Sequence, residues 1–289
     1  MYRIAYRWLM LSFFVLVALA APGFPVAADG DGTAYEEPQP LQPEIVEGTA
    51  TWKVSDMTYA GEFPEGMTFR ARAASDAGEI VSARVVWSHA PGNNTRRSRG
   101  ATYDESTGLW VAEWPHNRGD IPPWVLVRYR WEFADAQGNR YFSAERDEVY
   151  ADQDNAARWH SMESEDVVVY WIDLPDEYGE QTVRAMAEQR EFYRQAWGGL
   201  LPYRPRVILY GTSARIEYED ALGRQAAAGG GITTGTTSDD WGGTIQYALF
   251  GDTAEGLAFS TVLHEVAHLY QGEFAHLPVG WFVEGNAEF

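Results

Sequence analysis

Between about residue 48 and residue 151 the chain alternates apolar and polar positions with a period of two, as strands with one buried face do. The alternation is clearest where Val125, Val127, Tyr129, Trp131 and Phe133 interleave with Arg128, Arg130 and Glu132. Asp135-Ala136-Gln137-Gly138-Asn139 then supplies a turn, and Arg140 to Ser143 can return as the hairpin partner. Thr68 to Ala74, Ile80 to Ser88 and Leu109 to Trp114 repeat the pattern between clusters of Gly, Pro, Asn and Asp. That spacing predicts a small antiparallel sandwich of immunoglobulin or fibronectin type over residues 48–155. Its aromatic rings, set at alternate strand positions, are read as core before they are read as a carbohydrate-stacking surface.

After about residue 160 the pattern changes. Asp166 to Ile172 is a β-branched and aromatic run, and Glu180 to Trp197 is a helical stretch with Val183, Met186, Ala187, Tyr193 and Trp197 on its apolar side and Gly198-Gly199 to end it. Arg206 to Thr212 reads as a second strand, which makes a strand, helix, strand unit. The Gly- and Thr-rich stretch from Ala226 to Gly243 is predicted to be a surface loop. Thr244 to Phe250 is a third strand, followed by a helix start in which Asp252 caps and Glu255 stands three residues on.

The N-terminus has a different character. Arg3 and Arg7 precede an apolar run of 14 residues from Trp8 to Ala21, short of the ~20 that a membrane-spanning helix needs. Small residues around Val26-Ala27-Ala28 suit signal peptidase cleavage after Ala28, so residues 1–28 are expected to be a signal peptide, with an uncleaved anchor as the other possibility. Residues 29–47 form an acidic Pro- and Gly-rich linker with little to bury. Both readings of the N-terminus place the protein outside the cytoplasm, secreted or held at the cell surface.

Charge narrows the partners. With 22 Lys+Arg against 42 Asp+Glu and a net charge of −20, the surface has the wrong sign for nucleic acid, and a membrane contact would run only through an uncleaved N-terminal segment. Lys53 is the single lysine and no glycine run precedes it, which excludes a phosphate loop of the Walker type. With no cysteine, thiolate metal sites, disulfides and cysteine nucleophiles are excluded too. Any metal must therefore sit on His, Asp or Glu.

Those ligands occur together at His264-Glu265-Val266-Ala267-His268. Four residues of α-helix turn through ~400° and rise ~6 Å, so the two imidazoles project from one face. Both can then reach one ion at about 2.0–2.1 Å. Glu265 sits ~100° around the same helix, beside the metal, where a carboxylate can deprotonate a zinc-bound water. Random placement yields such a pentad roughly once per hundred chains of this composition, so context has to add weight. A histidine third ligand in the HExxHxxGxxH pattern is absent, because Gln271 and Phe274 occupy its Gly and His places and His276 comes two places late. Downstream, Glu284 opens a predicted helix turn and can ligate. Glu288 stands four residues later on the same face, where it can accept a hydrogen bond from the outward nitrogen of a ligand histidine, His264.

HEVAH, a short Pro-containing connection and Trp281-Phe282-Val283-Glu284-Gly285-Asn286-Ala287-Glu288-Phe289 together resemble the gluzincin metallopeptidases, specifically the bacterial peptidase MA-like group with its W-x-x-E-G-x-A-E/F/Y signature. The resemblance is strong over 252–289 and diffuse over 160–251. It implies one Zn2+ on His264, His268 and Glu284, with Glu265 as general base and Glu288 behind a ligand. It further implies that the strand before the zinc helix, Thr244 to Phe250, edges the substrate cleft. An oxyanion-stabilising residue is not singled out; Tyr270 and His276 are near. Because the chain stops at Phe289, five residues past Glu284, the domain is expected to be C-terminally incomplete.

The expected architecture is multidomain, β plus α+β: the sandwich, then a gluzincin-type zincin domain over 160–289 built from a mixed sheet and zinc-site helices. The expected function is an exported zinc metallopeptidase acting on peptide or protein substrates. The rival is a non-catalytic zinc-containing protein that binds peptide or a surface.

Overall fold

The structure, a computed structural model, describes residues 40–89, 96–115, 121–221, 235–238 and 241–275. Ten strands come first: β1 (Ile45–Glu47), β2 (Trp52–Glu62), β3 (Gly66–Ser75), β4 (Ile80–Ser88), β5 (Arg97–Gly100), β6 (Thr102–Asp104), β7 (Leu109–Pro115), β8 (Val125–Asp135), β9 (Arg140–Phe142) and β10 (Arg146–Tyr150). They form a six-stranded antiparallel sheet in the order β1-β9-β8-β4-β5, with β10 also on β8, and a four-stranded one in the order β2-β3-β7-β6. The alternation in β8 decides which face packs: Val125, Val127, Tyr129, Trp131 and Phe133 are all buried and meet Met67, Phe69, Ala71, Ala112 and Trp114 of the other sheet. The Phe69 and Tyr129 rings lie 5.1 Å apart. Each large side chain buried this way contributes about 1.5–3 kcal/mol, which is why the strand's period fixes the register of the layer.

The β8–β9 turn is held by Asp135, whose Oδ1 accepts from the backbone nitrogens of Gln137 at 2.9 Å and Asn139 at 3.0 Å, while Gly138 takes φ 85°. Asn139 Oδ1 in turn accepts from Thr49 N at 3.0 Å. Residues 45–47, within the stretch expected as linker, pair with β9 instead, because β9 would otherwise leave an open edge there.

A third sheet follows. Its elements are β11 (Trp159–Glu163), β12 (Val168–Ile172), α1 (Glu177–Trp197), β13 (Arg206–Tyr210), α2 (Thr212–Ala221), β14 (Gly235–Ser238) and β15 (Gly243–Tyr247), in the order β11-β12-β13-β15-β14. The three central strands are parallel, and the edges β11 and β14 are antiparallel. Gly198 ends α1 in the left-handed conformation at φ 80°, as the Gly-Gly pair predicts. Of the apolar side predicted for α1, Met186 and Tyr193 are buried, whereas Ala187 is exposed and Ala185 takes the buried place.

The two faces of the third sheet belong to different cores. Val207 and Leu209 meet Met186 and Tyr193 of α1, whereas Ile208, Tyr210, Ile245 and Tyr247 join the core of the first two sheets. All described residues lie in one unit, residues 32–289. The expected fold class is thereby corrected. The described residues form three β-sheets with few helices, of which α1 is the long one, and no helical zincin core is present among them. The physical reason is the shared apolar face of β13 and β15, which is covered by the sandwich, with Ala214 and Tyr218 of α2 beside it. No helix of the described residues is long and apolar enough to cross a membrane. The expected signal peptide, residues 1–28, lies outside the described residues.

Candidate metal centre

The histidine pair sits where β15 turns into the last helical segment. Leu249 N donates to Asp252 Oδ2 at 2.8 Å in the turn, and Gly251 takes φ 96°. The cap is Thr253, whose Oγ1 accepts from Gly256 N at 3.0 Å, one residue after the expected Asp252. Glu255 leaves the helix start to meet Arg184 of α1, Nη2 to Oε1 2.7 Å. From this cap α3 (Ala254–Gly256) continues through a π-helical segment (Leu257–Val262) into α4 (Leu263–Tyr270) and a second π segment (Gln271–Ala275). Widened turns of this kind gather at functional sites.

α4 is amphipathic, and that orients the pentad. Val266, Ala267, Leu269 and Tyr270 are buried against α1 and the sheet, while His264, Glu265 and His268 are half-buried on the more open side. Tyr193 of α1 anchors the helix by donating to Leu263 O at 2.8 Å and by stacking on Tyr270 with ring centroids 4.5 Å apart. Burial, with Tyr270 beside it, raises the Tyr193 phenol far above its ordinary pKa, so it remains a donor at neutral pH. Tyr270 is packed in the core with its ring against Tyr193 and so does not face the open side.

The imidazoles converge as the four-residue spacing predicts. His264 Nε2 and His268 Nε2 are 3.2 Å apart, with the rings at 88° to one another. Two ligand nitrogens about 2.05 Å from one tetrahedral ion would be roughly 3.3–3.4 Å apart, so the donor pair fits zinc. Behind His268, its Nδ1 lies 2.8 Å from Gln271 Oε1. Gln271 was not among the site residues expected from sequence, although it stands three places after His268 on the same helix face. Beneath the helix, Gln246 and Thr244 share the sheet face of Leu209 and Val207 and are fully buried; Gln246 Nε2 donates to Thr244 Oγ1 at 2.5 Å. Gln246 Oε1 has no hydrogen-bond partner among the described residues. A glutamine in the otherwise apolar run TIQYALF was the available signal.

The remaining expected site residues, Glu284 and Glu288, lie outside the described residues, as does His276. Among the described residues no group of three His, Asp or Glu side chains converges on a metal position. The expected cleft edge also moves. β15 is interior, paired on both sides, and the edge beside α4 is β14, inside the stretch predicted as a surface loop.

No protein-family model matches the chain, and no curated protein matches it. Among solved structures, a purple acid phosphatase from yellow lupin (Lupinus luteus) seeds is 10% identical over 81% of this chain and 42% of its own, with a TM-score of 0.28. A polysaccharide deacetylase from Bacillus cereus is 7% identical over 59% of this chain and 54% of its own, with a TM-score of 0.27. The matched part of each protein is thus about half of its length, and similarities at these scores have no bearing on the site.

Proposed function

We propose that the protein is an exported, zinc-dependent peptide hydrolase, with the metal held by His264, His268 and Glu284. The observation that carries this reading is the 3.2 Å approach of the two Nε2 atoms on the open side of α4. Zinc bound there supplies a Lewis acid for the scissile carbonyl and lowers the pKa of water toward ~7. Glu265, on the same helix, takes the proton from the attacking water and passes it to the leaving amine nitrogen. On this reading Glu288 is the acceptor for the outward nitrogen of His264. Among the described residues β14 is the sheet edge beside α4, to which an extended peptide can add as a further strand. The apolar run at 8–21 supports export, and the charge of −20 disfavours nucleic acid as a partner.

Purified protein with Zn2+ is expected to cleave an unfolded protein substrate. Glu265→Gln should keep stoichiometric zinc and lose about 10²–10⁴-fold in cleavage rate. Glu284→Ala should lose the zinc. Undiminished cleavage by Glu265→Gln would remove the assigned base, and stoichiometric zinc in Glu284→Ala would remove the third ligand. Zinc and peptide binding with no turnover in the wild type would favour the non-catalytic rival.

A further inference from the structure

We infer that Gln271 is the positioning residue that fixes the tautomer of His268 and aims its Nε2 at the ion, an inference that rests on the zinc reading above. The Gln271 Oε1 atom, 2.8 Å from His268 Nδ1, can only accept, so Nδ1 carries the proton. In a neutral imidazole the lone pair is then on Nε2, which is the atom 3.2 Å from His264 Nε2. The Gln271 contact therefore selects one tautomer, and it is the one that leaves Nε2 free to ligate a metal.

Gln271 is built to hold that orientation. It is 6% exposed, and its backbone N–H is bonded to Ala267 O and His268 O, so its carbonyl is carried by the same rigid segment as the ring it orients. A side chain without an acceptor would remove this bond from the Nδ1 proton and with it the preference over Nε2–H, the position the metal must take. A neutral amide orients the ring without adding negative charge next to Glu265, whereas a carboxylate would keep the orientation and strengthen the ligand.

The test uses the full chain with Gln271→Leu and Gln271→Glu, folding being checked by circular dichroism. Long-range 1H–15N spectra of the metal-free proteins read the His268 tautomer, and competition with a chromophoric chelator reads zinc affinity. The Nδ1–H form is expected in the wild type and in Gln271→Glu, with Nε2–H gaining in Gln271→Leu. Zinc Kd should rise about 10–100-fold in Gln271→Leu and stay at or below the wild-type value in Gln271→Glu. An unchanged tautomer and Kd in Gln271→Leu would overturn the assignment. If Gln271→Leu fails to fold, Gln271→Glu decides alone, and an Nε2–H His268 there overturns it. A wild type that takes up no zinc sinks the metal reading instead, while the metal-free tautomers still decide what Gln271 does.

Discussion

His89 follows β4 with its ring 2% exposed and 5.8 Å from that of Trp114, and neither ring nitrogen has a hydrogen-bond partner among the described residues. Burial, with the charge of Arg97 as a second cause, pushes its pKa down to about 3. The folded protein holds it neutral at pH 5, whereas the unfolded chain takes up a proton near the ordinary 6.5. Below about pH 6.5 the unfolded state therefore binds the extra proton, and folding loses about 1.4 kcal/mol per pH unit until about pH 3. Urea unfolding at pH 7 and pH 4.5 should show the wild type losing about 2–3 kcal/mol more over that span than His89→Phe, which keeps an aromatic ring and has no site to protonate. Equal losses would mean that other groups set the acid sensitivity. At this scale the sequence carries spacing well and partners poorly. The four-position spacing of His264 and His268 dictates a shared helix face, and the rings do converge. That Gln271 supplies the acceptor, or that Thr253 and not Asp252 caps the helix, depends on which short polar side chain reaches a particular backbone or ring atom, and side-chain chemistry alone does not rank those competitors.

Elements were legible where one local rule dominated. The β8 alternation, the Asp135 turn and the Gly198 stop are each set by neighbouring residues, and each is present. β2 was missed because its burial alternation shifts at the bulge between Ser55 and Thr58, where Asp56 takes φ 52°. β14 was missed because a Gly-Thr run has neither period nor bulk, and only pairing with β15 makes it a strand. Contacts between elements are likewise tertiary, and one of them gives a sharp expectation. Gly211 closes β13, donating its N–H to Ile172 O at 3.0 Å, and a Cβ there would lie 2.4 Å from Asp173 O. Asp173 is itself left-handed at φ 55° and held by Arg158, so the backbone has little room to yield. Gly211→Ala should cost about 1–3 kcal/mol. Gly100→Ala, where a Cβ meets nothing within 4 Å, should stay within about 0.5 kcal/mol of wild type. Paired thermal melts of the two variants check this, and a Gly211→Ala melt as high as that of Gly100→Ala would show that the β12 and β13 ends separate easily.

For the molecule as a whole, the change of periodicity near residue 160 is where the sequence reading places its domain boundary. A strand's period says that one face is buried but not by what. The face of β13 and β15 that holds Ile208, Tyr210, Ile245 and Tyr247 is buried by the sandwich. Aromatic pairs mark this seam: Trp124 stacks on Tyr170 at 5.4 Å and 9° and meets Trp159 edge-on at 5.7 Å, and Phe63 stacks on Tyr218 at 5.8 Å and 20°. Arg206 Nη1 donates across it to Trp124 O at 2.8 Å. An interface that is part of a common core should not open independently, because exposing it would cost both halves their packing. Chemical unfolding followed by tryptophan fluorescence and by far-ultraviolet circular dichroism is therefore expected to give coincident single transitions. Phe63→Ala removes a ring that is 7% exposed and touches both Tyr150 of β10 and Tyr218 of α2. It should lower stability by about 3–5 kcal/mol and move both signals together. Should the variant split the transition, with the third sheet unfolding apart from the sandwich, the shared core would be a contact between independently stable parts, and the site on α4 would not depend on the N-terminal sheets for its rigidity.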